Sequence, residues 1–187
     1  FQVKLNLAGR TEQHIAATVR PLGPGGLSVV LPYRVHRVPH PPRSKFYVLS
    51  FNLKFLRPEL DVDPLDLEEV PLAQAPELAP FLFQEYLDFR LAGADLALAR
   101  DACRRMAEEN ARRRYGSADS IRGYLLLLLG TVCRRHERGI ARLAAGQAQR
   151  TSRRDALARV MRHVREHLGR RLQLADAAAA ADLSPNY

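Results

Sequence analysis

The opening FQVKLNL places apolar residues at every second position, whereas helix-like segments beyond Pro80 place them at every third or fourth. One element type cannot satisfy both periods, so the chain must change architecture along its length. FQVKLNLAGR places Phe1, Val3, Leu5 and Leu7 on one face and Gln2, Lys4 and Asn6 on the other, as in a half-buried strand ending at Gly9. HIAATVR repeats the pattern weakly through Ile15, Ala17 and Val19. PLGPGG is a turn, and LSVVLP is a short apolar strand stopped by Pro32. Beyond the proline-rich connection Pro39 to Arg43, KFYVLSFNL is the stretch richest in strand-forming residues. Four strands on short turns predict an antiparallel unit over residues 1–53. Because Phe1 opens in mid-strand, earlier strands are expected before it.

RPELDVDPLDLEEVPLAQAPEL holds four prolines and much of the acidic charge, and it reads as a surface connection. Leu82, Tyr86 and Phe89 then share a helical face, with Pro80 suited to a first turn. A second helix starts at Ala94 or Asp95, carries Leu98, Ala102 and Met106 as its stripe, and stops at Gly116. Asp119 is a good N-cap for SIRGYLLLLLGTVCRRHER, in which Ile121, Tyr124, Leu125, Leu128, Leu129 and Val132 form a wide apolar face. Leu126 and Leu127 carry apolarity around to the far side. Such a helix is either buried in its own domain or half of an oligomer contact, and periodicity leaves both open. Residues 54–140 thus combine the acidic connection with a helical region. Residues 141–153 lose the stripe and read as a linker. From 154 a basic amphipathic helix follows, with Leu157, Val160, Met161, Val164 and Leu168 recurring at spacings of three and four.

The formal charge is +9, and it is unevenly placed. Residues 1–53 hold 7 Lys or Arg against 1 Asp or Glu, residues 54–101 hold 4 against 11, and residues 102–187 hold 18 against 8. Two basic ends flanking an acidic middle suggest a polyanionic partner. Cys103 and Cys133 fall in helical segments and read as small buried thiols of a reducing, cytoplasmic setting. The longest apolar run, Tyr124 to Leu129, is too short to span a bilayer. No catalytic constellation is present: G-x-S-x-G and P-loop patterns are lacking, so an enzyme is not expected. His36 and His40 form no H-x-H pair and are separated by a proline, which leaves no metal set and no cofactor expected.

The last fourteen residues, LADAAAAADLSPNY, read as helix, tight turn and start of a second helix. Leu174, Ala177, Ala178 and Ala181 share a face, Leu183 closes it, Ser184 suits an N-cap and Pro185 a first helical position. The pattern fits a helix-turn-helix, and it also fits an ordinary helical hairpin. Together with the preceding basic helix and Gly-Arg-Arg-Leu-x-Leu, it resembles the start of the DNA-binding domain of AraC/XylS-type transcription regulators. The matching residues are Leu174, Ala177 (more often Leu in the family), Ala178, Leu183, Ser184, Pro185 and Tyr187. The front of the chain is similar to the same family's cupin-like sensor barrel through Gly9, Pro24-Gly25-Gly26, LSVVL, Pro32, His36 and the strand Phe46 to Leu53. It departs at Gly26, where the family more often has Asp.

The resemblance implies an α+β chain: a partial cupin-like antiparallel β-barrel, a helical dimerisation region, and the opening helices of an all-α helix-turn-helix domain over residues 154–187. It implies a ligand-responsive transcription regulator with three kinds of partner: DNA, a small organic effector and a second copy of the chain. Arg170, Arg171 and Ser184 are expected at phosphates, and Asn186 and Tyr187 at the leading edge of the recognition helix. Val3, Leu5, Leu7, Val29, His36 and Tyr47 are expected at the effector pocket, and Tyr124, Leu125, Leu128, Leu129 and Val132 at the dimer face. Residues 1–187 alone are expected to bind DNA weakly, and a chain continued past Tyr187 specifically. The alternative is a cupin-type metal-dependent enzyme or binding protein with a helical extension.

Overall fold

The computed structural model describes residues 1–15, 18–62, 67, 70–146, 160, 163–164, 167, 169 and 173–180. The chain is α+β, and it divides into two compact units, Phe1–Ile140 and Ala141–Tyr187. In the first unit, strand β1 (Gln2–Ala8) lies between β4 (Gly26–Val30) and β6 (Lys45–Ser50), and β7 (Phe89–Arg90) extends the sheet beyond β4. All pairings are antiparallel. Val3 stands opposite Val29 and Leu49, and Leu5 opposite Leu27 and Tyr47, so these six share one face. A second antiparallel sheet joins β2 (Thr11–Ile15) to β3 (Thr18–Leu22) on one side and β5 (His36–Arg37) on the other. Among the described residues the strands form two sheets and no closed barrel.

Three expectations are corrected here. HIAATVR is not one strand but parts of β2 and β3, which pair with each other from Thr11↔Leu22 to Ile15↔Thr18. Strand β1 is not half-buried: Lys4 is only 3% exposed and Asn6 1%. Lys4 Nζ and Asn6 Nδ2 find partners on this covered face, whereas Asn6 Oδ1 has none among the described residues. Lys4 Nζ lies 2.8 Å from His40 Nδ1 and 4.3 Å from the centre of the Phe46 ring. Asn6 Nδ2 donates to the carbonyls of Gly9 and Leu22 at 2.9 and 3.2 Å. Burial also holds the Lys4 ammonium below its ordinary pKa. Finally, Phe89 belongs to no helix. A 3-10 turn (Pro76–Leu78) runs into a single turn of helix α2 (Ala79–Leu82), and Phe89 is taken up by the edge of β4 opposite Leu27.

A short helix α1 (Leu53–Leu56), capped by the Asn52 side chain, follows β6. The long helices α3 (Gly93–Arg112) and α4 (Ser117–Arg135) pack against each other. Arg113 and Gly116, both at positive φ, end one and introduce the other. Ser117 Oγ donates to Glu109 Oε2 at 2.6 Å across that corner. Ala99, Ala102, Cys103 and Met106 of α3 meet Leu125, Leu128, Leu129 and Val132 of α4 in the core, beside Phe81, which packs edge-on against Phe1 and Phe51. Both cysteines are free. Burial pushes the Cys103 thiol up to about 12, and burial followed by the Glu77 charge pushes Cys133 up to about 11, so neither is a nucleophile at neutral pH.

Residues 137–146 are helical, α5, so the linker expected from residue 141 begins with helix. In the second unit, α6 (Leu174–Ala180) opens with the Asp176 carboxylate accepting the Gln173 N–H at 3.0 Å. Ala177 and Ala178, expected on one face, are its half-buried positions along with Ala180.

Candidate functional site

A cavity of about 320 Å³ opens between the β2–β3 hairpin, β4 and the segment Gln84–Arg90. The hairpin brings Gln13 and Arg20 together, because they are cross-strand partners and their side chains therefore leave the same face. Arg20 is held in place by two contacts: Nη2 donates to the Glu85 carbonyl at 2.6 Å and Nη1 to Asp88 Oδ1 at 3.2 Å. Gln84 reaches the cavity from the turn after α2. The floor is apolar, formed by Leu22, Leu27, Val29 and Phe89, and Arg10 and Arg90 stand at the rim.

Buried polar atoms without a partner among the described residues occur elsewhere in the first unit, at Asn6 Oδ1 and Ser28 Oγ, but this cavity gathers three of them. Gln13 and Gln84 are each 4% exposed, yet Gln13 Nε2 and Gln84 Oε1 have no hydrogen-bond partner among the described residues. Neither has the buried Nε of Arg20. Such groups are rare in folded proteins because each forfeits its hydration without compensation.

A second recess, a groove of about 500 Å³, runs along β6 and α1 beside α3 and α4. Tyr47, Leu49 and Phe51 line it with Met106, Ile121 and Leu125, and it is mostly apolar.

The six residues expected at one effector pocket do not converge. Val29 lines the cavity and Tyr47 the groove. Val3 and Leu5 are packed in the core, and Leu7 is half-buried. His36 is exposed on β5, where its Nε2 lies 3.2 Å from Gln2 Oε1. Gln2 alternates with Val3, so His36 serves the opposite face of the sheet. His40 stacks on Phe46 at 4.5 Å and contacts Lys4. Among the described residues no three His, Cys, Asp or Glu side chains cluster to hold a metal ion.

The expected dimer face is also corrected. Leu125, Leu128, Leu129 and Val132 are at most 2% exposed and fill the protomer's own core. Tyr124 is half-buried, with the Arg105 guanidinium 5.8 Å from its ring centre. The apolar residues that α4 leaves outside are Leu126 and Leu127, 39% and 40% exposed. Arg170, Arg171, Ser184, Asn186 and Tyr187 lie outside the described residues. Gln13, Arg20 and Gln84 escaped sequence reasoning. The available signal was Gln13 itself, which occupies the inward phase of TEQHI with Ile15.

His136 joins this region to the helices. Its Nε2 accepts the Arg90 N–H at 3.0 Å, and its ring packs edge-on against Phe89 at 5.1 Å. Desolvation lowers its pKa, outweighing the opposite effect of the Arg90 carbonyl oxygen 3.1 Å from the same Nε2. The unfolded chain therefore binds the proton more tightly, and stability falls as pH drops below the ordinary value of about 6.5. Denaturation between pH 7.5 and 5 should show this slope, reduced in His136→Gln. An unchanged slope in the variant would contradict the assignment.

Comparison of the chain with protein-family models, curated proteins and solved structures finds no match. Among the described residues no helix is long and apolar enough to cross a membrane.

Proposed function

We propose that this chain is a ligand-responsive, DNA-binding transcription regulator. Its first unit acts as a cupin-like sensor and the segment from 154 as the start of an AraC-type helix-turn-helix domain. The observation that carries the sensing half is the cavity, where buried amides lack partners among the described residues. Three such polar atoms are gathered at this one cavity, where a single ligand would satisfy them together. The DNA half rests on sequence: from Ala141 to Tyr187 nine arginines face four acidic residues, and α6 leads into Leu183-Ser184-Pro185. Small alanine side chains on a short helix permit the close crossing that a helix-turn-helix requires. Arg170, Arg171 and Ser184 position the phosphates, and Asn186 and Tyr187 lead into the major groove.

Dimerisation, moved from the buried stripe of α4 to Leu126 and Leu127, sets two DNA-binding units at a fixed spacing. Effector binding changes that disposition, which is a coupling free energy between the two sites, on the order of 1–3 kcal/mol in such systems. The test is fluorescence anisotropy of a labelled duplex titrated with the full-length protein. Affinity should fall by on the order of 10³-fold between 50 and 200 mM salt as counterions released from phosphates are restored. Binding that is absent at low salt, or insensitive to salt, speaks against a DNA-binding role.

A further inference from the structure

We propose that the cavity between the β2–β3 hairpin, β4 and Gln84–Arg90 binds a small hydroxy acid with an apolar body. Two donor atoms and one acceptor, all of them buried, are left unused there among the described residues. Gln13 Nε2 and Arg20 Nε offer hydrogens from neighbouring positions on the hairpin, the geometry for the two oxygens of one carboxylate. Arg20 is restrained by the Glu85 carbonyl and Asp88 at its Nη atoms, and its buried Nε–H is without a partner among the described residues. Gln84 Oε1 requires a donor, which a hydroxyl on the same ligand supplies.

The charge of the lining agrees with an anion: Arg10, Arg20 and Arg90 stand against Asp88 alone. Asp88 already faces Arg20, so its charge is partly met before an acid arrives. Leu27, Val29 and Phe89 give the rest of the ligand an apolar seat. At about 320 Å³ the cavity is at the small end for ligand sites, suited to about a dozen heavy atoms. Binding here needs no DNA. The cavity becomes the effector site of the proposed regulator only if that reading also holds.

Mandelate and 3-phenyllactate are suitable probes, with phenylacetate lacking the hydroxyl and methyl mandelate lacking the charge. Calorimetry on the whole chain should give one-to-one binding of the hydroxy acids, with Kd on the order of 0.1–1 mM for ligands of this size. Phenylacetate should bind about tenfold more weakly because Gln84 stays unpaired, and methyl mandelate should not bind measurably. Gln84→Leu should reduce mandelate to the affinity of phenylacetate, and Gln13→Leu should weaken both acids. Without acid, both variants should melt at or above the temperature of the parent, since each removes an unsatisfied buried group.

No heat from either hydroxy acid at about 10 mM would overturn the proposal. So would equal affinity for mandelate and its methyl ester, or lower melting temperatures with unchanged affinity in the variants. Should a variant fail to fold, the ranking of the four probes on the parent chain still decides. Failure of DNA binding leaves these heats in place, and loss of the heats leaves DNA binding in place.

Discussion

Gly25→Ala should destabilise the first unit by about 3 kcal/mol or more, lowering the melting temperature by roughly 6–12 °C. Gly25 has φ +79°, a conformation that costs a residue with a Cβ about 1 kcal/mol. The larger part is steric. A Cβ at Gly25 would lie 2.2 Å from the Leu91 carbonyl oxygen, which is backbone and cannot rotate aside. Leu91 must move, and with it goes the bond from Leu91 N–H to the Gly25 carbonyl at 2.9 Å. The Gly25 N–H is itself held by the Asn6 carbonyl at 2.8 Å, so the turn cannot retreat the other way. The strain therefore loosens β7 from β4 and opens the cavity wall. Gly93→Ala is the control: its φ is +54° but nothing lies within 4 Å of a Cβ there. It should cost only about 1 kcal/mol. Equal losses in the two variants by thermal denaturation would disprove the steric account.

Leu128→Ala should cost about 2–5 kcal/mol, whereas Leu126→Ala should cost under about 0.5 kcal/mol. Leu128 is fully buried, so truncation removes its contacts and leaves a void in a close-packed core. Leu126 is more than a third exposed and its truncation leaves none. Oligomeric state should respond the other way. The parent should sediment as a dimer and Leu126→Glu with Leu127→Glu as a folded monomer, while any Leu128→Ala chain that remains folded should still pair. A parent chain that sediments as a monomer at micromolar concentration would remove the dimer from the proposed mechanism. A double variant that still pairs would move the interface elsewhere.

Periodicity made most of the frame legible. The alternation of FQVKLNL, the short apolar run LSVV and the strand-forming residues of KFYVLS reappear as β1, β4 and β6, and the spacing of three and four as α3 and α4. Where it failed, the deciding contacts came from elsewhere in the chain. HIAATVR has no glycine, proline, asparagine or aspartate to mark the break between β2 and β3, so pairing rather than turn chemistry separates them. Phe89 has a helical spacing from Leu82, yet the free edge of β4 holds it as strand. The leucine run of α4 is apolar on both sides, and only the position of α3 and the sheet determines that Leu128 goes in and Leu127 stays out.

The candidate site was harder to read for a related reason. Polar residues on a strand are ordinarily assigned to the solvent face, and that rule sent Lys4 and Asn6 outward. Both are buried because distant partners, His40 for one and Leu22 for the other, are folded onto them. Gln13 was hidden the same way, and its significance depends on Gln84, 71 positions later in the sequence, entering the same cavity. No local pattern carries such a coincidence.

The proposed function is tested most directly by selection from a pool of random duplexes with the full-length protein. One motif should be enriched over successive rounds, and its retention should fall steeply with salt. A pool that stays random after selection, whatever the salt, would contradict a sequence-specific regulator.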